Sequence, residues 1–269
     1  MADNFLITGY WGEPHVTAEN DRGINAAMFG TGRFILPVGE QFNAVYIGNN
    51  TIRMYDGKLM DNGAAAGIPA GEYVDLLIAN AGQGKKRNDL IVFQYSQDAS
   101  TLVESGTFVV IQGAETSGSA TDPVLTQADL LSGNATFDQM ALWRVSVSGA
   151  TIAAPTRVAE VEWANPPMEL GVEYRTTERW KGRAVYTKLI DTGALPNATS
   201  KSVATNITGF TGLVSISGAV MSGDSYNPIE IIGDVTDVWL NGTGTAMSIK
   251  TKADLSARSA SVCLKYTKS

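Results

Sequence analysis

Carboxylates are the side chains that this chain offers for chemistry in useful number. The sequence has 27 Asp and Glu residues but a single histidine, His15, and a single cysteine, Cys263. His15 lies beside Pro14 in an N-terminal segment, so a catalytic triad built on imidazole is not credible. One cysteine excludes an internal disulfide framework and a thiolate metal cluster. Any catalysis would therefore depend on Asp and Glu.

Cleavage of a glycan needs two carboxylates, an acid and a partner, roughly 5 to 9.5 Å apart. Four carboxylates of the C-terminal part are close together in the sequence: Asp224, Glu230, Asp234 and Asp237. They occupy turn positions, where Asp commonly caps the backbone, and no signature selects one pair. No calcium-loop pattern occurs, and Gly82–Lys86 lacks the spacing of a phosphate loop. We therefore expect no enzyme activity, no metal and no cofactor.

Aromatic side chains with neighbouring amides give a stronger functional hypothesis. Exposed aromatic rings can stack on the apolar face of a sugar while Asn and Asp order its hydroxyl groups. Tyr226 with Asn227, and Trp239 with Asn241, fit this chemistry. Tyr226 stands between Ser and Asn before a proline and is predicted to be exposed, either as a ligand contact or as a plain loop residue. For Trp239 the flanking residues Val238 and Leu240 favour the alternative, a position in the core.

The overall charge and hydropathy narrow the range of partners. The net charge of −7 provides no electrostatic footprint for nucleic acid, and the short basic run Lys85–Arg87 is predicted to be a solvated turn. No segment approaches the ~20 apolar residues that span a bilayer. The first residues lack the basic and apolar regions of a signal peptide. We expect a soluble protein made in a cytoplasm, with no membrane insertion.

The pattern along the chain predicts an all-β fold with few short helices. Short alternating segments are separated by Gly, Asn and Pro turns at intervals near 8–12 residues, which is typical of β-sandwiches. Asp56-Gly57 and Asn241-Gly242 are hairpin signals, whereas residues 62–67 are interpreted as a turn or loop. Thr17 is suited to cap one short helix over Asp21–Met28.

Two segments of the chain contain a distinctive order of residues. Residues 180–207 contain a Trp, a Gly, a Tyr-Lys strand, the turn Gly193–Asn197 and a Lys-Ser-Val strand, in this order. This order resembles the opening of the C-terminal head domain of bacteriophage and prophage tail-fibre proteins. The series Arg87, Asp89–Val92, followed by a strand at Trp143, resembles the N-terminal domain of baseplate-attached fibres, over residues 5–155.

The resemblance implies a β-rich attachment or shoulder domain at 1–165, a linker at 166–178 and a β-sandwich receptor-binding head at 179–269. It also implies a homotrimer in the virion tail that contacts other tail or baseplate proteins and binds a host-surface polysaccharide without cleaving it. The receptor-binding residues would be Tyr226, Asn227, Trp239 and Asn241. A purely structural baseplate or adaptor protein and a glycan depolymerase are the alternatives.

Overall fold

The fold is all-β. A computed structural model describes residues 17–132, 135–222, 225–229 and 234–269. Most of these residues belong to antiparallel sheets, and the predicted all-β fold class is confirmed. The same residues contain one α-helix. The chain divides into two compact units, Met1–Glu162 and Trp163–Ser269, which we call the first and second units. Within the described ranges no helix is long and apolar enough to cross a membrane.

In the residues that the structure describes, the first unit has one α-helix and two antiparallel sheets. Its elements are α1 (Ala18–Phe29), β1 (Arg33–Leu36), β2 (Ala44–Gly48), β3 (Thr51–Asp61), β4 (Ala64–Leu77), β5 (Lys86–Gln97), β6 (Glu104–Ile111), a 3-10 turn (Leu130–Ser132), β7 (Phe137–Ser148), β8 (Thr151–Ile152) and β9 (Thr156–Arg157). One sheet has the order β1-β3-β2 with β4 also paired to β3. The other has the order β6-β5-β7-β8 with β9 also paired to β7.

The helix has the predicted N-cap, Thr17, but it runs over Ala18–Phe29 and so begins three residues before the predicted range Asp21–Met28. The Thr17 backbone is extended, and its hydroxyl accepts a hydrogen bond from the backbone N–H of Asn20 at 3.3 Å. This bond satisfies one of the amides that the first turn of a helix leaves without a partner. Glu19 and Asp21 place negative charge in the same turn, which the helix dipole favours. The predicted short helix is confirmed.

The hairpin predicted at Asp56-Gly57 is wrong, whereas the turn predicted within residues 62–67 is confirmed at Asn62-Gly63. Strand β3 continues through Asp56-Gly57, and the chain reverses at Asn62-Gly63, where φ is +46° and +84°. Positive φ at both central positions is what a two-residue hairpin requires, and Asn-Gly adopts it at the least cost. The residues after this turn, predicted as loop, begin strand β4. At Asp56 the register between β3 and β4 shifts, so this position is a bulge and not a turn.

The basic run Lys85–Arg87 is solvated only in part, because Lys85 and Lys86 are exposed whereas Arg87 is not. Arg87 lies on β5 and is fully buried. Its guanidinium donates to the Asp89 carboxylate at 2.8 Å and 3.1 Å and to the Asn80 carbonyl at 3.0 Å. Because these acceptors replace water around the charge, burial is tolerated. Arg87 and Asp89, two of the residues on which the resemblance to baseplate-attached fibres rests, therefore form a buried ion pair.

The described residues of the second unit form two antiparallel sheets that share one core. Its strands are β10 (Glu173–Trp180), β11 (Arg183–Ala194), β12 (Ser200–Ala204), β13 (Phe210–Ser222), β14 (Ser225–Pro228), β15 (Val235–Leu240), β16 (Ala246–Thr251) and β17 (Ser259–Lys268). The larger sheet has the order β10-β11-β17-β13-β14 and the smaller one β12-β16-β15. Val262 and Leu264 of the larger sheet belong to the same buried cluster as Met247 and Ile249 of the smaller one. This arrangement is sandwich-like.

The segment predicted as a linker, 166–178, is partly a strand. Residues from Glu173 onward form β10 and pair with β11. Tyr174 and Thr176 are buried, and the Tyr174 ring meets Trp163 edge to face at 5.3 Å between ring centroids. The Pro166-Pro167 pair and Gly171 do interrupt regular structure, but only before β10. The prediction underestimated the alternating pattern that follows them.

Candidate functional site

The smaller sheet of the second unit has one face on the core and one face turned away from it. On β16, Met247, Ile249 and Thr251 are buried, whereas the residues between them are partly or fully exposed. Strands β12 and β15 show the same alternation. Since successive side chains point to opposite sides of a strand, the remaining residues form a second face, which we call the outer face. Its members are Ser200, Ser202 and Ala204 of β12, Asp237 and Trp239 of β15, and Ala246, Ser248 and Lys250 of β16.

Trp239 is the one large aromatic side chain of the outer face. Its neighbours Val238 and Leu240 pack against the core, so the period of two places the Trp239 ring on the opposite side. The side chain is 42% exposed. The favoured interpretation, a core tryptophan, is therefore wrong. In a sheet with only one face on the core, apolar residues directly before and after a strand residue place that residue on the other face.

The register surrounds Trp239 with small polar groups. Trp239 pairs with Ser248, which in turn pairs with Ser202. These three residues form one row across the three strands, so two hydroxyl groups follow the indole ring. The next row contains Asp237, Lys250 and Ser200, with one carboxylate, one ammonium and a further hydroxyl. The side chains in the Trp239 row other than the ring are short. The outer face therefore presents an aromatic ring beside short side chains that can form hydrogen bonds.

Tyr226 and Asn227 lie on the larger sheet, and not on the outer face. They belong to β14, the edge strand that pairs with β13, and Tyr226 stands opposite Met221. Tyr226 is 70% exposed, as predicted, and Asn227 is exposed as well. Edge strands are common sites for recognition because one side of their backbone has no neighbouring strand.

Asn241 has a local structural role. Its Nδ2 donates to the Thr245 hydroxyl at 3.1 Å, and its Oδ1 accepts from the Ala246 backbone N–H at 3.2 Å. These bonds close the turn between β15 and β16. Because both ends of the amide are used within the turn, we assign Asn241 to the support of the hairpin that carries Trp239. Its role as a direct ligand contact is not favoured.

Only two of the four clustered carboxylates lie in the part of the chain that the structure describes. Asp224 and Glu230 lie outside the described residues, Asp234 is half-buried and Asp237 is exposed on the outer face. In the part of the chain that the structure describes, no three His, Cys, Asp or Glu side chains are placed to hold a metal ion.

Sequence reasoning missed the residues around Trp239. The sequence did not predict Ser202, Ser248 and Lys250 as site residues, because Ser and Lys are common in turns and on surfaces. Their signal is the alternation in Ser200–Ala204 and Ala246–Lys250, where apolar or long residues are separated by small polar ones. Only the strand register shows that these side chains share a row with Trp239.

No protein-family model matches the chain, and no curated protein matches it.

Proposed function

We propose that this protein is a bacteriophage or prophage tail protein that binds a host-surface polysaccharide non-covalently through the outer face of its second unit. The proposal combines the resemblance of residues 180–207 to tail-fibre head domains with the position of Trp239. It includes attachment to other tail or baseplate proteins in the virion tail. It involves no bond cleavage.

The observation that carries the proposal is the exposed Trp239 ring beside a row of serines. A half-exposed indole on a sheet face offers a rigid apolar plate, which can stack on the C–H face of a pyranose ring. Ser202 and Ser248 are then placed to exchange hydrogen bonds with the sugar hydroxyls, and Asp237 offers a stronger acceptor. Tyr226, on its edge strand, is a candidate for a separate contact with the polysaccharide.

A single face of this kind would bind weakly, so the proposal includes a homotrimer. Three linked heads convert later contacts into intramolecular events and raise the overall avidity without any new contact. Size-exclusion chromatography with light scattering should give three times the 28.5 kDa of one chain. A stable monomer would oppose the trimer and favour a component that assembles only on the tail.

The direct test uses polysaccharide purified from the surface of susceptible bacteria. We expect Trp239→Ala to lower the affinity by at least about 2 kcal/mol, roughly 30-fold, as for other aromatic hot spots. The matched control is Trp180→Ala, because Trp180 is also exposed, at 46%, but lies on β10 in the larger sheet. Equal losses in both variants, or none in Trp239→Ala, would contradict the proposed face.

The two alternatives give different results in the same assays. A purely structural baseplate or adaptor protein would bind no susceptible surface, and Tyr226 and Trp239 would become protected when it assembles with tail proteins. A depolymerase would release reducing ends from the polysaccharide, and neutralising a carboxylate would abolish the release. The proposed binding protein retains the polysaccharide intact.

A further inference from the structure

The first unit contains an acidic cavity that the glycan proposal does not use. It has a volume of about 450 Å³ and is lined by Glu40, Asn43, Val45, Tyr55, Asp56 and Gly71. Two of these residues carry carboxylates, one has an amide, and Tyr55 and Val45 supply aromatic and aliphatic surface. No basic side chain is among the described residues that line it. The cavity therefore combines negative charge with apolar walls.

Asp56 is the unusual member of this set. It is 9% exposed, so most of its hydration has been removed. Within the described ranges its carboxylate has no hydrogen-bond or ion-pair partner, and neither has that of Glu40. A carboxylate that lines a cavity without a protein partner keeps its acceptor positions for water or for a ligand. Because Asp56 lines this cavity, a cationic ligand can bind to its carboxylate there.

One wall of the cavity is a loop held in a strained shape. Gly39, Gln41 and Phe42 have positive φ of 60°, 52° and 54°. The Trp143 indole N–H donates to the Phe42 carbonyl at 2.8 Å, and the Arg157 guanidinium donates to the Gln41 carbonyl at 2.8 Å. Strained backbone persists only where its surroundings over-determine it. The loop that carries Glu40 and Asn43 is therefore fixed before any ligand arrives.

The opposite wall is a bulge in the β3–β4 pair. Gly57 pairs with Ile68 and Tyr55 pairs with Tyr73, so residues 69–72 are left without partners on β3. Gly71 in this segment has a φ of +77°, and a side chain added there would meet nothing within 4 Å. Bulges of this kind redirect side chains and are frequent next to binding sites. This bulge keeps the space in front of Asp56 open.

We propose that this cavity binds the ammonium or guanidinium group of a lysine or arginine side chain from a protein partner. The two carboxylates accept charge-assisted hydrogen bonds from the cationic group, and the Tyr55 ring adds a cation–π surface. Val45 and Tyr55 contact the aliphatic stem. Bare metal ions prefer a cage of oxygen ligands, to which a tyrosine ring and a valine contribute nothing.

The test is a titration of the full chain with small probes, followed by two-dimensional amide NMR. The probes are N-acetyl-lysine-methylamide and N-acetyl-arginine-methylamide, the neutral norleucine analogue, glucosamine and calcium chloride. We expect the two basic amino-acid probes to shift amide resonances of residues 39–43 and 69–72. We expect Glu40→Gln and Asp56→Asn each to lower the affinity about tenfold or more. Glu40 is exposed, so its variant remains informative if Asp56→Asn fails to fold.

The control variant is Glu72→Gln, which removes an exposed carboxylate in the bulge that does not line the cavity. It should bind the probes like the unaltered protein. Equal binding of the norleucine analogue would overturn the proposal because charge would not matter. Tighter binding of calcium or glucosamine than of both basic probes would also overturn it. Trp239→Ala should leave this binding intact, so the two proposals can fail separately.

Discussion

The two units bury different kinds of polar side chain. The buried polar residues of the first unit are mostly charged, among them Asp61, Arg87, Asp89 and Asp138. In the described part of the second unit they are threonines and one lysine, Lys188. Most of these threonines donate to nearby carbonyls, as Thr251 does to Pro196 at 2.9 Å. Thr187 instead contacts the sulfur atoms of Met168 and Cys263. Both units are antiparallel β-structures, so this difference does not follow from fold class.

The difference determines how each unit should respond to mutation and to pH. A threonine hydroxyl hydrogen-bonded to a carbonyl is neutral, and its net contribution to stability is about 1 kcal/mol. A buried ion pair is costly to form and much more costly to leave half-formed. The first unit should therefore be sensitive to the loss of single charges, whereas ion pairs of the second unit such as Lys265–Glu178 are partly exposed.

The largest expected effect is the loss of the buried guanidinium in Arg87→Met. Methionine fills much of the volume, but Asp89 loses its two hydrogen bonds from Arg87 and stays buried with a charge. We expect the free energy of unfolding to fall by about 3–5 kcal/mol, the usual cost of breaking a buried pair from one side. Urea unfolding of the full chain, followed by far-ultraviolet circular dichroism, measures it.

A double variant distinguishes two costs of Arg87→Met: the loss of its hydrogen bonds and the unpaired buried charge of Asp89. Arg87→Met with Asp89→Asn removes the uncompensated negative charge, and the asparagine can still accept from the Gly113 N–H. It should be more stable than Arg87→Met alone. If the double variant is less stable than the single one, the buried charge is not the source of the cost.

The second effect is a dependence of stability on pH that originates at Asp61. Arg33 lies between two buried carboxylates, at 2.9 Å from Asp61 Oδ1 and 2.7 Å from Asp138 Oδ1. Burial, reinforced by the hydrogen bond and the charge of Asp138, raises the pKa of Asp61 from 3.8 to about 8. Between these two values the folded protein holds a proton that the unfolded chain has released. The free energy of unfolding therefore decreases as the pH rises from about 4 to about 8.

Asp61→Asn should remove this slope, which is at most about 1.4 kcal/mol per pH unit for one proton. The measurement is urea unfolding at several pH values from 5 to 9. The matched control is Asp75→Asn, because Arg53 lowers the pKa of the exposed Asp75 and its titration lies below this range. An unchanged slope in Asp61→Asn would show that another group is responsible.

The sequence predicted those features of the fold that depend on residues close together in the chain. Thr17 predicted the helix start, and the alternation in Val235–Leu240 predicted β15. Burial of Arg87 could not be predicted, because three neighbouring basic residues indicate a surface and the Asn80 carbonyl that binds it comes from outside the strand. The Trp239 row and the Asp56 cavity depend on strand register and on a bulge, which are tertiary features.

The smallest expected effect belongs to Lys265→Ala in the second unit. Lys265 binds Glu178 across β17 and β10, but the two side chains are 35% and 53% exposed. Water competes for both charges, and ordering two flexible side chains offsets the attraction, so such pairs contribute about 0–1 kcal/mol. Lys265→Ala and Glu178→Ala, alone and combined in a double-mutant cycle, should give a coupling energy within that range. Raising the salt concentration should reduce the coupling further, since exposed charges are screened. If this pair instead costs as much as Arg87→Met, exposure does not distinguish the two units, and the contrast in their buried residues has no energetic meaning.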